Sequence, residues 1–383
     1  MVRMTRSWLQ SLVLVGALLV MAQGAPADEQ HSWPAWQRFS ERFIQADGRV
    51  IDITFDAKST SEGQSYALFF ALVANQPEQF ATLLNWTSAN LADKQLGEKL
   101  PGWLWGKRDD GSWGIKDRNA ASDADLFIAY ALLEAGRLWQ QPQYTDLGKK
   151  LLALVSKEEV VEAGAAGTLL LPGPVGFKLS GDRYRINPSY MPGFMFHYFA
   201  DVDGGGPWQA IWDDYLRVAP NVFASGVAPD LYVINTKGVV TPDSERAPSS
   251  SYDAIRVYLW AGMSRDAASQ QLLRLLAPYA KVIRANGGAP PEKVNPANGV
   301  AIKADWAPIG YSGAVLPFVS ALRDQDLADE QLGRLRRDLV RAKLGGDTNY
   351  YDQMLIMFGE GWQEGYYRFD EQGRLQPRWQ SGR

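Results

Sequence analysis

Apolar residues recur at three- and four-residue spacing along almost the whole chain, and this period decides what the chain can fold into. It runs through Trp36–Ile44, Glu62–Ala74, Pro77–Leu91, Asp123–Trp139, Tyr144–Ser156, Pro192–Asp201 and Pro207–Val218. It continues through Ser251–Met263, Ala267–Arg284, Gly313–Leu322, Glu330–Lys343 and Tyr350–Phe358. Short connections containing Gly or Pro separate these segments, which predicts about a dozen helices. Strand signals are sparse, with weak alternation only in Val50–Phe55 and Leu231–Ile234. Three irregular stretches, Gly102–Ala121, Glu162–Asn187 and Asn235–Ser250, are long enough to expect function in them. The simplest reading is one all-α domain. Six helical hairpins suit a closed double-ring toroid, but helix counting does not choose it over a solenoid.

Composition removes several chemistries. None of the 383 residues is cysteine, which excludes disulfides, thiolate metal sites, iron–sulfur clusters and a cysteine nucleophile. The two histidines, His31 and His197, are too few for a three-histidine zinc site or an HExxH protease. A net charge of −4 gives nucleic acid no role as the main partner. The 14 Trp, 16 Tyr and 15 Phe suit both a large helical core and a cleft that stacks flat ligand faces.

The first residues have the layout of an export signal. Arg3 and Arg6 precede the apolar run Leu12–Met21, and small residues follow at Ala22, Gly24, Ala25 and Ala27. The competing reading, a membrane anchor, needs roughly 20 apolar residues, more than this run offers. Residues 1–27 are therefore expected to be cleaved, leaving 28–383 as a single domain. Removing Arg3 and Arg6, and no acid, takes the net charge to −6. The expected destination is the periplasm or the exterior, with no anchor after cleavage.

Carboxylates are the acid–base candidates that remain. Gly310-Tyr311-Ser312-Gly313-Ala314 fails the last position of a serine-hydrolase elbow. Asp201-Val202-Asp203 fails as a calcium loop because Trp212 stands where glutamate is needed. No glycine-rich loop has P-loop spacing. Three acids sit at loop-to-helix junctions. Glu62 follows Ser59-Thr60-Ser61, where a plain helix-start carboxylate is the competing reading. Asp123 and Asp125 follow Ser122 and the aromatic stretch containing Trp103, Trp105 and Trp113. Ser122 or Asp123 would cap the helix, while rings and carboxylates together suit the faces and hydroxyls of sugars. The same rings also fit a core. Asp253 precedes Arg256 by three residues, so an ion pair would lower its pKa, unless the pair is only a weak surface one. In a toroid, such junctions gather at one end. A carboxyl pair with separated pKa values is what glycosidic cleavage requires.

The run Ala121-Ser122-Asp123-Ala124-Asp125-Leu126-Phe127-Ile128-Ala129-Tyr130-Ala131-Leu132-Leu133-Glu134-Ala135, ending at Trp139, resembles the signature of glycoside hydrolase family 8. Ser61-Glu62-Gly63-Gln64-Ser65-Tyr66 resembles the family's general-acid segment, and Tyr252-Asp253-Ala254-Ile255-Arg256 its general-base segment. Asn187-Pro188-Ser189-Tyr190 resembles an element whose tyrosine lies beside the catalytic water. The resemblance covers about residues 34–370 and is nearest to the periplasmic endoglucanases encoded with bacterial cellulose synthase. It implies an (α/α)6 barrel and an inverting endo-β-1,4-glucanase that uses no metal or organic cofactor. Glu62 would be the proton donor, with a raised pKa. Asp253 would be the base, ionised and supported by Tyr190 and Arg256. Asp123 would distort the bound sugar. Asp125, Ser122, Trp103, Trp105 and Trp113 would join Tyr190 and Arg256 in binding substrate. Inversion implies that the Glu62 and Asp253 carboxyls lie about 6.5–9.5 Å apart. Phe127 replaces a residue often acidic in relatives, which would weaken one sugar contact. The implied partners are a β-1,4-glucan chain and the cellulose synthase export machinery, with the enzyme a monomer. The alternatives are a xylanase or chitosanase of the same fold, a non-catalytic glucan-binding or export protein, and a lyase using His197.

Overall fold

The computed structural model describes residues 32–54, 56–303, 307–343 and 349–380. The expected export signal lies outside them. Helices dominate, in the order α1 (Pro34–Phe43), α2 (Ser61–Val73), α3 (Pro77–Leu91), α4 (Ser122–Leu138), α5 (Pro142–Glu158), α6 (Gly193–Val202) and α7 (Trp208–Val222). Then follow α8 (Ile255–Met263), α9 (Ala267–Leu276), α10 (Tyr279–Ala285), α11 (Ile309–Ala321), α12 (Gln325–Lys343) and α13 (Tyr350–Gln363). The predicted helix 267–284 is broken at Pro278, whose ring cannot continue the backbone hydrogen bonds, so α9 and α10 act as one broken element.

Burial divides the helices into two rings. Every residue of α8 is buried, every residue of α4 except Arg137, and every residue of α2 except Glu62. A helix apolar all round belongs inside. The helices α2, α4, α6, α8, α11 and α13 form this inner ring. Between them, α1, α3, α5, α7, α9–α10 and α12 bury one face each. In α5, for example, Gly148, Leu151, Leu152 and Val155 point inward. This is the (α/α)6 barrel, and the solenoid alternative falls because α1 packs back on α13 and closes the ring. The inner helices approach closely through glycine. A Cβ on Gly359 of α13 would lie 1.9 Å from the Gly313 carbonyl oxygen of α11. Gly313 is thus a packing residue, and the adjacent Ser312 Oγ accepts a hydrogen bond from Arg334 Nε at 2.8 Å.

The connections hold short antiparallel strands that the sequence pattern does not show. Strands β1 (Ser59–Thr60), β2 (Leu104–Lys107) and β3 (Trp113–Asp117) form one sheet, with Ser59 opposite Trp105 and Lys107 opposite Trp113. Strand β4 (Val160–Glu162) pairs with β5 (Thr168–Leu170). Strands β6 (Lys178–Leu179), β7 (Arg183–Ile186), β8 (Tyr232–Asn235) and β9 (Val240–Pro242) form a four-stranded sheet in that order. Thus Leu231–Ile234 is extended as expected, one residue later. Val50–Phe55 is not a strand: its described residues make only the isolated bridges Ile44–Val50 and Asp52–Lys58. A last hairpin, Tyr367–Phe369 with Leu375–Pro377, lies near the C-terminal end of α4. There Leu375 N donates to Glu134 Oε2 at 2.7 Å, and Phe369 stacks on Phe194 at 3.8 Å. Glu134 is about 16 Å along α4 from Asp123, so the hairpin and Asp123 are at opposite ends of the helix. Among the described residues no helix is long and apolar enough to cross a membrane.

Candidate active site

The three acids do gather. Thr60, the N-cap of α2, accepts from Gly63 N at 3.1 Å and starts the helix that carries Glu62. Strand β1, immediately before it, pairs with β2, so the aromatic hairpin is joined directly to the acid's segment. Asp123 lies in the first turn of α4 and Asp253 in the turn before α8. The predicted helix 251–263 begins only at Ile255, which leaves Asp253 on a turn.

Arg256 organises the cluster. It is 4% exposed, and its Nη1 donates to Asp123 Oδ2 at 2.6 Å and to the Tyr66 hydroxyl at 2.8 Å. Its Nη2 donates to Asp253 Oδ1 at 2.8 Å. One planar fork therefore holds two carboxylates, one from the first turn of α4 and one from the turn before α8. Tyr190 faces this guanidinium, 5.4 Å from its ring centroid. Burial and the fields of Asp123, Asp253 and Glu62 push the Tyr190 hydroxyl well up, which keeps it a proton-bearing donor.

The carboxyls separate as acid–base work requires. Glu62 is pushed up to about 8, first by burial and then by the Asp123 charge, and its buried Oε2 has no hydrogen-bond partner among the described residues. Asp123, 3% exposed, is raised by burial against the pull of Arg256. Asp253 departs from the sequence expectation. Its pKa is raised rather than lowered, because burial around the carboxyl outweighs Arg256, and Asp230 and Asp123 push the same way. The side chain keeps 41% of its surface open, so water screens part of that push. The direction still suits a base, since a stronger base has a higher pKa.

Two residues expected on substrate are not placed to reach it. Ser122 is fully buried and donates to the Leu171 carbonyl at 2.8 Å. It does not cap α4, whose N-cap is Ala121. Asp125 is fully buried against Glu159, and neither carboxyl meets a donor from any other described residue. The hydrogen bond between them needs a proton held by the pair, and both are pushed far up, first by burial. Folding thus takes up a proton. Above the carboxyls' unfolded pKa, stability falls with pH by about 1.4 kcal/mol per unit for one such proton, until the folded pair ionises. Asp125→Asn supplies a permanent donor to Glu159, so its melting temperature should drop less than wild type's between pH 5 and pH 8. Parallel curves would show that the pair holds no extra proton.

The aromatic residues divide as well. Trp113 is 47% exposed and stacks on Trp105 at 5.3 Å. Trp105 is a support rather than a free platform. Trp86 meets it edge-on, and the Arg49 guanidinium lies 4.3 Å from its centroid. Trp103 is half-buried, and its carbonyl accepts from Ser61 N at 2.9 Å, tying the hairpin to the start of α2. Phe127 is buried against Tyr66, Trp260 and Phe358, so it meets no sugar. His197 lies against Trp212 and beside Asp266, 3.3 Å from its Oδ1. The sequence reading missed Tyr350 and Tyr351 at the start of α13. The Tyr350 hydroxyl lies 3.2 Å from Thr60 Oγ1, and the Tyr351 hydroxyl donates to the Tyr252 carbonyl at 2.7 Å. Adjacent residues thus brace the segments of Glu62 and Asp253. Nothing in a Tyr-Tyr pair at a helix start signals this.

A double helical ring with a carboxyl held neutral by burial and a guanidinium-bridged carboxylate pair at one end suits the cleavage of glycosidic bonds. The sequence matches the glycosyl hydrolases family 8 pattern over residues 11–365, and the chain belongs to that family. It is 41% identical to an endoglucanase of Salmonella typhi, over 99% of this chain and 98% of the relative. It is 42% identical to an endoglucanase of Xanthomonas axonopodis pv. citri, over 97% and 96%. The crystal structure of an endo-1,4-D-glucanase from Vibrio fischeri ES114 superposes with a TM-score of 0.84 at 38% identity, covering 91% of this chain and 99% of that one.

Proposed function

We propose that this family 8 glycoside hydrolase is an inverting endo-β-1,4-glucanase with Glu62 as general acid and Asp253 as general base. The observation that carries the reading is the split between the carboxyls. Glu62 is held neutral by burial, while Asp123 and Asp253 share Arg256. Glu62 gives its proton to the glycosidic oxygen as the C1–O bond breaks. Water attacks C1 from the opposite face and passes a proton to Asp253. Exchange with solvent then restores the protonated Glu62 and the ionised Asp253. Asp123, fixed by Arg256, holds the sugar at the cleaved bond, and the half-exposed Trp113 meets a further residue of the chain.

Proton NMR of a cellohexaose digest, followed from the first minutes, tests this reading. New reducing ends should appear as the α-anomer. An initial β-anomer would mean retention and remove Asp253 as the base. Parallel digests of xylohexaose and chitosan hexamer should run far slower. Rapid cleavage of either would reassign the substrate. The sequence of residues 1–27 supports export to the periplasm, and the likeness to endoglucanases encoded with cellulose synthase supports work beside glucan synthesis. Fractionation of producing cells checks the first, and co-purification with the export machinery the second.

A further inference from the structure

Asp230 lies in the connection between α7 and β8, and nothing in its sequence setting marks it. It nevertheless makes more contacts to the Asp253 turn than any residue discussed above. Its Oδ1 accepts from Ser251 N at 2.7 Å and from Ala254 N at 3.0 Å. Its Oδ2 accepts from Ser249 Oγ at 2.6 Å and from Ser251 Oγ at 2.7 Å. Its own N–H donates to the Ser249 carbonyl at 2.6 Å. Ala254 is the N-cap of α8 and has no capping side chain of its own, so Asp230 caps that helix from another part of the chain. All four side-chain contacts are donors, the set an ionised carboxyl accepts. Among the described residues no cation lies within ion-pair distance of it, in contrast to Asp123 and Asp253.

We propose that Asp230 is the positioning residue of the general base: it fixes the Ser249–Ala254 turn on which Asp253 stands, and its uncompensated charge strengthens Asp253 as a base. The proposal rests on the assignment of Asp253 above. The groups facing Asp253 are Arg256 from α8, Asp123 from α4 and Glu62 from α2. Asn187 and Tyr190 face it from the β7–α6 connection, and Tyr351 from α13. Arg256 holds Asp253 ionised, and Asp230 and Asp123 oppose it. Asp230 is the acid among them whose own partners are neutral, so its field is the least cancelled.

Asparagine separates the two roles. In Asp230→Asn the amide oxygen keeps both backbone donors, and the amide nitrogen donates to the serine hydroxyls, which accept as readily as they give. The turn stays and the charge goes. The acid limb of kcat/KM on cellohexaose should then move to lower pH, on the order of half a unit or more, with KM within about twofold. Asp230→Ala loses the turn as well, and its kcat should fall more than about tenfold with KM little changed. Should the alanine variant not fold, Ser249→Ala/Ser251→Ala removes the two hydroxyl donors. It should lower kcat several-fold at constant KM. An unmoved acid limb in Asp230→Asn, or wild-type kcat in the alanine or double-serine variant, overturns the proposal. Asp253→Asn run alongside tells the two readings apart. If it stays active, the base assignment fails. If it is dead while the Asp230 variants match wild type, only the role of Asp230 fails.

Discussion

Glu62→Gln should lower kcat on cellohexaose by about 10²–10⁴-fold while leaving KM and the melting temperature close to wild type. The expectation follows from the environment of one side chain. The Glu62 carboxyl is buried without a partner for Oε2 among the described residues, and burial pushes its pKa up to about 8, which keeps the proton on it through neutrality. Glutamine has the same shape and no charge, so it replaces the protonated acid with little disturbance. It cannot release a proton to a departing oxygen. The loss should therefore depend on the leaving group. An aryl cellooligoside, whose phenolate leaves without a proton, should be cleaved by the variant at a rate much closer to wild type. The pH profile carries the same prediction. As the proposed general acid Glu62 acts only when protonated, so wild-type kcat/KM should fall as pH rises through about 8. That alkaline limb should vanish in the variant's residual activity on the aryl substrate. Equal losses on both substrates would mean that Glu62 does something other than give a proton.

Much of this molecule is legible in the sequence because its inner ring is written twice, once in periodicity and once in composition. Runs such as Leu126–Leu133 are apolar on every face, and only a helix enclosed by others tolerates that. Glu62, Asp123 and Asp253 stand out because each breaks such a pattern at a helix start. What stays hidden is set by contacts between distant segments. Asp125 looks like Asp123's twin, two residues on, yet a two-residue step rotates a helix position by about 200°, so the two carboxyls face opposite ways. Asp125 meets Glu159 because Leu171 links their neighbourhoods: its carbonyl takes the Ser122 hydroxyl, and its N–H donates to the Glu159 carbonyl at 2.8 Å. Trp105 and Trp113 look equivalent until the fold sets Trp86 edge-on against the first and leaves the second 47% exposed. Asp230, in a connection, and Tyr351, at the start of α13, reach the Asp253 turn from other parts of the chain.

Arg256 shows the same limit most sharply, and its removal should have the second large effect. Sequence spacing pairs it with Asp253, three residues away, where exposure makes the bond worth little to stability. The decisive partner is Asp123, more than a hundred residues distant, buried with it and 2.6 Å away. Arg256→Met strands that carboxyl without a cation, and breaking a buried pair from one side costs about 3–5 kcal/mol. Protonation of Asp123 relieves the strain. Asp123 is already raised in the wild type, and without Arg256 its folded pKa rises further above its unfolded one, so more of the stability kept at low pH is lost as pH rises. The melting temperature should fall further below wild type at pH 8 than at pH 5. Activity should drop by about 10²–10³-fold or more, since neither the carboxylate proposed to hold the sugar nor the proposed base stays in place. Arg256→Lys should recover part of the stability and little of the activity, because one ammonium does not span two carboxylates as a planar fork does. Arg256→Met/Asp123→Leu removes both buried charges and should regain most of the lost stability while remaining inactive. Recovery of stability without activity in that double variant would place the Arg256–Asp123 pair in the chemistry rather than in the scaffold. A single Arg256→Met variant that melts like wild type at both pH values would show that Asp123 never depended on it.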